Sequence, residues 1–259
     1  MNKYHLSVAT FAHHQIEDHF YSSISKMNQH ISDDVRAYVT GVEAHILNFL
    51  LVIDNHAQIA EDLQKGIRFL DEKTIVPFAI YTVAPNHQTL EVIQQAGFVF
   101  DVDGITTGMQ LDLLSWQPND LSAAEYDVRC VDRCLNDWAT PVGSAFETGN
   151  ILSGQYQKCH QAALDAGKSL QHYALYVDGQ PVCALTLSWL GNLVRFDDIG
   201  TLVEQQRKGY ASALINYVLN EARRDGAIAC YLDASRDGNE LYRRVGFKTL
   251  FEYQGFIRE

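Results

Sequence analysis

Basic residues are scarce in this chain. Its 259 residues include 20 Lys and Arg against 32 Asp and Glu, a formal net charge of −12. Such a surface repels a phosphate backbone, so nucleic acid is not expected as a partner, and a cationic substrate such as an amine is mildly favoured. Cysteine is also sparse. Cys130, Cys134, Cys159, Cys183 and Cys230 are odd in number and form no C-x-x-C pair, which speaks against a disulfide framework or a zinc ribbon. Reduced thiols in a cytoplasm are expected instead, with Cys130 and Cys134 read as buried small apolar residues. Long hydrophobic runs are missing. The longest, Ile46 to Ile53, is broken by Asn48 and falls far short of the ~20 residues a membrane span needs. Met1 to Phe11 has no charged segment leading into an apolar run, so neither a signal peptide nor a membrane partner is expected.

What is present is ordinary globular material, 47% hydrophobic and 20% charged, in a length that suits two domains of about 100–150 residues. The polar stretch Ser115 to Ser122, containing Pro118, reads as a linker and divides the chain into 1–117 and 118–259. After it, a strand is expected over Tyr126–Val131, helices over Asp132–Phe146 and Ile151–Ala166, and strands over His172–Val177, Pro181–Leu190 and Leu193–Val203. The turns between those strands are marked by Asp178-Gly179 and Gly191-Asn192. An amphipathic helix over Tyr210–Arg224 sets Leu214, Val218, Leu219 and Ala222 on one face. A strand over Ile228–Ala234, a short helix over Gly238–Arg244 and a strand over Thr249–Ile257 complete the order.

The first half ends in a similar series. Strands are expected over Ala44–Ile53, Thr74–Val83 and near Met109–Leu114, with helices over Ala57–Leu70 and His87–Ala96, the latter capped by Asn86. Both halves contain a short helix stopped by Gly-Phe, at Gly97-Phe98 and Gly246-Phe247, where glycine suits a left-handed cap. The shared order points to duplication.

The informative segment runs from Ile199 to Ser212, IGTLVEQQRKGYAS. A strand ends, a short basic loop follows and a helix opens. The first amides of a helix lack partners, and the macrodipole favours an anion there. Gly209 lets the backbone come close to a bulky phosphate, Ala211 keeps the next approach point small, and Arg207 and Lys208 add positive charge. The run Gln206-x-x-Gly209-x-Ala211 resembles the Q/R-x-x-G-x-G/A signature of GNAT acyltransferases. Some thirty residues on, Leu241-Tyr242-Arg243-Arg244-Val245-Gly246-Phe247 is similar to the family's second signature. The resemblance covers the C-terminal half.

The resemblance implies an α/β GNAT fold, a mixed, mostly antiparallel central sheet flanked by helices, here duplicated. It implies acetyl-CoA as the acyl donor, with no metal. The strand ending at Val203 would part from the strand ending at Ala234. The pantetheine arm would pair near Ile199, Gly200 and Thr201, and the pyrophosphate would sit on Gln206, Arg207, Lys208, Gly209, Tyr210, Ala211 and Ser212. An amine of a small molecule or a peptide amino terminus would attack the thioester directly. Tyr242 would act as general acid on the leaving sulfur, and a backbone amide near Thr201 to Val203 would face the oxyanion. The base stays open among Asp197, Asp198, Glu204 and Asp233, or a water chain. As neighbours on a strand, Asp197 and Asp198 should point to opposite faces. Two positions depart from the family pattern: Ser235 stands where an Asn is common, and Val203 where a proline is.

The equivalent loop of the first half, Asp54 to Asp62, has no glycine, no Lys or Arg and three acids, which would repel a diphosphate. Ile93 stands where Tyr242 does. The first half is therefore expected to be a non-catalytic, degenerate domain that helps to build the acceptor pocket or a subunit interface; a homodimer is compatible with it. His13, His14, Asp18 and His19 are expected on an ordinary polar surface, and His87 and His172 in structural roles. Two other readings stay open: an acyltransferase using a longer acyl-CoA or a hydroxyl acceptor, and an acyl-CoA-binding sensor without turnover.

Overall fold

The computed structural model describes residues 7–118 and 126–258. Part of the expected linker, residues 119–122, lies outside the described residues. In chain order the elements are α1 (Val8–Ile24), β1 (Met27–His30), β2 (Val35–Val39), β3 (Asn48–Val52), α2 (Ile59–Lys73), β4 (Ala79–Val83), α3 (His87–Gln95) and β5 (Phe98–Asp112). The second half adds β6 (Asp127–Cys130), α4 (Asn136–Ala145), α5 (Gly149–Asp165), β7 (Leu170–Val177), β8 (Gln180–Leu190), β9 (Leu193–Thr201), α6 (Tyr210–Arg224), β10 (Ala229–Ser235), α7 (Asn239–Val245) and β11 (Lys248–Arg258). No helix among the described residues is long and apolar enough to cross a membrane.

Among the described residues, eleven strands form one sheet in the order β1-β2-β3-β4-β11-β5-β10-β9-β8-β7-β6. Only β3/β4 and β9/β10 are parallel; the other pairs are antiparallel. The two halves exchange strands. β5, from the first half, lies between β10 and β11, and β11 returns the exchange by lying between β4 and β5. The repeated pattern, a parallel pair followed by an antiparallel partner from the other half, agrees with the duplicated element order. It also means that the sheet runs unbroken across the sequence boundary at 117/118. Trp116, within the expected linker, is buried and donates from Nε1 to the Val245 carbonyl at 3.0 Å. A large ring with one polar edge is held where both parts are satisfied.

β5 is much longer than the expected Met109–Leu114. Its first part, with Asp101 and Asp103 within it, lacks apolar alternation, and its partners rather than its own pattern make it a strand. Close crossing with β11 depends on a glycine pair: a Cβ on Gly255 would lie 2.8 Å from Gly104 Cα, at a register shift in β11. Local signals elsewhere are faithful. Asn86 caps α3 by accepting from Thr89 N at 2.9 Å, and Gly97 and Gly246 take positive φ of 82° and 119° at the ends of α3 and α7. On α6, Leu214, Val218, Leu219 and Ala222 are all buried against the sheet. α4 and α5 cover the other face around Trp138 and Ala174, and α2 and α3 cover the first half around Leu50, Leu63 and Ile80.

Cys130 and Cys134 are exposed rather than buried, because they lie on and just after the edge strand β6, and α1 overturns the expectation for its histidines. His13 and His14 are buried at 0% and 1% exposure, and Glu17 at 2%. The reason lies beneath the helix, where Arg195 of β9 is itself fully buried. Its Nη2 donates to Asp233 Oδ2 at 2.6 Å and its Nε to Asp197 at 3.0 Å, while His13 Nε2 sits 3.0 Å from Asp233 Oδ1. A buried charge demands paired, polar surroundings, so α1 turns its polar side inward. Arg195→Met should leave Asp197 and Asp233 without their cation and lower the free energy of unfolding by ~3–5 kcal/mol. Urea denaturation of the two proteins checks this; a difference under about 1 kcal/mol would refute the structural role given to Arg195.

Candidate active site

β9 and β10 pair only from Ala229↔Leu193 to Tyr231↔Arg195. Beyond Arg195 they part, and a cleft of about 1540 Å³ opens along the gap. Opposite β8, the register of β9 shifts between Ala184 and Thr186, and Asp198 takes a positive φ of 55° at that point. This β-bulge corrects the expected opposite orientation of the two acids. Asp197 is contacted by Arg195, two residues earlier on the same face. Asp198 accepts from Thr186 Oγ1 at 2.8 Å, and Thr186 is the pairing partner of Asp197. The extra residue thus brings both carboxylates to one side of the sheet, and both line the cleft.

After β9 comes a single 3-10 turn, Val203–Gln205, then Arg207 with φ 62° and Gly209 with φ 87°. Gly209 occupies the left-handed region, and nothing lies within 4 Å of where its Cβ would be. The turn is therefore open, and the first amides of α6 face outward without helical partners. Gln206, Arg207, Gly209, Tyr210, Ala211 and Ser212 all line the cleft, with Ile199 and Thr201 on the strand leading to them. Ser235 and Tyr242 line it from β10 and α7. Three expected residues lie off its wall. Gly200 packs on α4, where a Cβ would sit 2.8 Å from Val142 Cα. Lys208 is exposed, with Nζ donating to Gln205 Oε1 at 2.8 Å. Glu204 is exposed on the 3-10 turn.

Tyr242 is buried, and its ring rests against Gly238, where a Cβ would come within 2.8 Å of it. Burial, reinforced by the nearby Cys183 and Asp197, pushes its phenol well above the usual range. It is therefore a protonated donor at neutral pH. Asp198 accepts from Tyr156 Oη and Thr186 Oγ1, both at 2.8 Å; burial raises its carboxyl, and those hydrogen bonds oppose the rise. Burial lifts Asp197 to about 7 against the pull of Arg195. Burial would raise Asp233 too, but Arg195 and His13 outweigh it and hold that carboxyl far below the usual range.

The opposite wall comes from the first half, through residues that no motif in the sequence marks. α1 contributes Glu17, Phe20 and Tyr21, β3 contributes Phe49, and β4 contributes Tyr81. The rings pack on one another, with Tyr21 and Phe49 centroids 4.7 Å apart and Phe49 and Tyr81 5.6 Å apart. Glu17 accepts from Tyr253 Oη at 2.7 Å, and His14 Nδ1 lies 3.0 Å from the same oxygen. Burial, then the Asp233 charge, raises Glu17 to about 7, while burial and Arg36 lower His14 to about 3. One nitrogen or oxygen of each of His13, His14 and Glu17 falls within 4.8 Å of the others. The guanidinium groups of Arg36 and Arg195 act on the same histidine, so an added cation there would meet two fixed positive charges. The only sequence signal for this wall was the i, i+3, i+4 spacing of His13, Glu17, Phe20 and Tyr21, which mixes polar and aromatic residues on one helix face.

An open turn at the start of α6, a parted parallel pair and a protonated tyrosine thus meet in one cleft. Residues 168–249 match the acetyltransferase (GNAT) domain family, and the chain carries a GNAT domain. The fold extends that likeness along nearly the whole chain. A GCN5-related N-acetyltransferase from Kribbella flavida superposes with a TM-score of 0.68 at 13% identity, covering 97% of this chain and 96% of that one. A GCN5-related N-acetyltransferase from Sphaerobacter thermophilus gives 0.61 at 17% identity over 87% and 76%. A tandem GNAT protein from the clavulanic acid biosynthesis pathway gives 0.58 at 13% over 87% and 78%. No curated protein sequence matches the chain at a significant level.

The raised carboxyl of Glu17 carries a stability prediction. The unfolded chain ionises this group above its ordinary value of 4.5, whereas the folded chain keeps its proton to about 7. The contribution is therefore full below about 4.5 and lost as pH rises through about 7. Glu17→Gln, which keeps an uncharged side chain at every pH, should lose less stability than the parent between pH ~5 and ~8, by on the order of 2–3 kcal/mol. Urea denaturation at the two pH values reads it; parallel losses in both proteins would overturn the assignment.

Proposed function

We propose that the chain is an acetyl-CoA-dependent N-acetyltransferase acting on a small cationic amine or a peptide amino terminus. The observation that carries this reading is the single cleft in which the open turn at Gly209, the parted ends of β9 and β10, and Tyr242 meet. Amides at the start of α6, with Arg207, bind the diphosphate, because a helix N-terminus presents unpaired N–H groups to an anion. Gln206 and Ser212 flank it, and Ser235 lies on the β10 side of the gap. The pantetheine arm follows the free edge of β9 at Ile199 and Thr201 and takes the missing strand's place.

The thioester then lies beside Asp198 and Tyr242. The amine nitrogen attacks the carbonyl carbon, and the C–S bond breaks. Tyr242 gives its phenolic proton to the departing thiolate, a transfer worth roughly 10²–10⁴-fold in rate for a well-placed acid. Asp198 takes one proton of the bound ammonium before attack, and the second N–H proton, shed as the amide forms, restores the phenol of Tyr242. The acceptor wall supports a cationic substrate: Asp101, Asp103 and Asp198 supply acidic side chains, and the cluster of Tyr21, Phe49 and Tyr81 offers ring faces on which a cation is stabilised by roughly 0.5–2 kcal/mol.

Two variants test the reading in a thiol-release assay over a panel of primary amines with acetyl-CoA. Tyr242→Phe should lower kcat about 100-fold or more with little change in KM for acetyl-CoA. Gly209→Val, which forces a branched residue into a left-handed turn, should weaken acetyl-CoA binding by at least about tenfold. Calorimetric binding of acetyl-CoA without thiol release on any amine would identify a sensor and refute the enzyme.

A further inference from the structure

Two large apolar side chains stand exposed along the cleft, one from each half of the chain. Ile46 is 48% exposed and Phe146 53%, and both line the cleft. Neither sits on a loose loop. Ile46 belongs to the turn His45–Leu47, which the buried Asn48 ties down by donating from Nδ2 to the Val42 and Ala44 carbonyls at 2.8 and 3.0 Å. Glu43 N donates to Gln155 Oε1 of α5 at 2.9 Å, and Ala44 and Leu47 pack on the cluster around Trp138. Phe146 ends α4, with its N–H bonded to the Val142 carbonyl at 3.1 Å. One exposed apolar side chain is ordinary; two held in place along one cleft bear on what enters it.

What covers them follows from the walls they join. Phe49 follows Ile46 by three residues and is buried, and the Tyr21 ring centroid lies 4.7 Å from that of Phe49. From α5, Tyr156 donates to Asp198 at 2.8 Å. Phe49, Tyr21 and Tyr156 all line the same cleft. A substrate whose nitrogen reaches Asp198 therefore sets the atoms next to that nitrogen among rings, and the atoms beyond them against Ile46 and Phe146. Charge adds a second condition. Asp101 Oδ1 accepts from Asp103 N at 3.1 Å, so both acids stand in one turn of β5, and both line the cleft. A carboxylate on the substrate would be repelled by them and by Asp198.

We infer that the acceptor is a primary amine with an aromatic or branched apolar group a few bonds from its nitrogen and no carboxylate, and that Ile46 and Phe146 select it. The inference rests on the N-acetyltransferase reading and narrows its substrate. Free aralkylamines and the amino-terminal residue of a peptide share this chemistry. Ile46 and Phe146 determine specificity by being covered by the apolar group, while Asp198 and Tyr242 keep their parts in the transfer.

A thiol-release assay with acetyl-CoA reads the selection. From ethylamine through butylamine to 2-phenylethylamine, kcat/KM should rise about 100-fold or more, at about threefold for each carbon covered. Phenylalaninamide should be a substrate, and phenylalanine, with its carboxylate, at least about tenfold poorer. Ile46→Ser and Phe146→Ser should each lower the ratio of kcat/KM for 2-phenylethylamine to that for ethylamine by about tenfold, and Ile46→Leu and Phe146→Leu should keep most of it. A merely structural role would weaken both amines alike and leave the ratio in place. A Phe-Gly-Gly amide turned over about tenfold faster than phenylalaninamide would assign the site to amino-terminal residues, and equal rates to free amines; both results support the shared chemistry. Equal kcat/KM along the amine series, or a ratio that neither serine variant moves, would overturn the selection and leave the acetyltransferase standing. Sedimentation showing a dimer that Ile46→Ser or Phe146→Ser dissociates would also overturn it, by giving these side chains to a second copy. Absence of turnover on every amine would instead remove the N-acetyltransferase reading, and the inference with it.

Discussion

A guanidinium without access to water sits where β9 and β10 stop pairing, and most of the molecule is arranged to make that tolerable. An unpaired buried charge costs several kcal/mol, so Arg195 is met by Asp197 on its own strand and Asp233 on the next. Arg is suited to the place because its planar fork reaches two carboxylates at once. With that group between them, the strands cannot close again, and the cleft begins at the next residue. The acids need company in turn. His13 reaches Asp233, and this brings α1 down over the fork with Glu17, Phe20 and Tyr21 on the cleft side. One buried cation thus sets the strand gap, the helix that covers it and the cluster of carboxylates beside it.

The exchange of β5 and β11 explains what the first half contributes. Its own equivalent of the Gly209 turn is closed by side chains. Asn55 N donates to Asp54 Oδ1, Gln58 N to His56 Nδ1 and Ile59 N to the His56 carbonyl, so amides that would meet a diphosphate are already used. Ile93 is buried where Tyr242 stands in the second half. Yet the same half supplies the aromatic wall opposite Asp198, because the shared sheet places β3 and β4 across from β9. Loss of one cofactor site and gain of one acceptor wall are two results of a single continuous sheet.

How much of this was legible in the sequence depends on whether the signal was local. The Gly209 turn, the Tyr210–Arg224 helix, the Asn86 cap and the Gly-Phe stops are written in neighbouring residues, and each forms as expected. α1 was misread because His13, His14 and Glu17 look like a solvated face. Only Arg195, some 180 residues away, makes them a buried one. The first part of β5 escaped notice because acids and glycines hide its alternation, which matters little for a strand held on both sides. The bulge at Asp198 leaves no mark in the order of residue types, although it decides that two adjacent carboxylates share a face.

The charge distribution inside the cleft follows from the same fork. Arg207 and the amide dipoles of α6 lie on the α6 side, while Asp101, Asp103, Asp197, Asp198 and Glu17 belong to the acceptor side. In the proposed reaction a polyanionic donor and a cationic acceptor are each repelled from the other's end, and in a cleft of low dielectric such repulsion is stronger than in water. Arg195, neutralised by its two acids, separates these fields without adding a net positive charge that would turn an ammonium away. Burial of Asp197 next to Asp198 then has a chemical consequence. Two close carboxylates resist carrying two negative charges, so one holds a proton more readily. Asp197, which burial lifts to about 7, takes that proton more readily than Asp198, whose hydrogen bonds from Thr186 and Tyr156 favour its charged form.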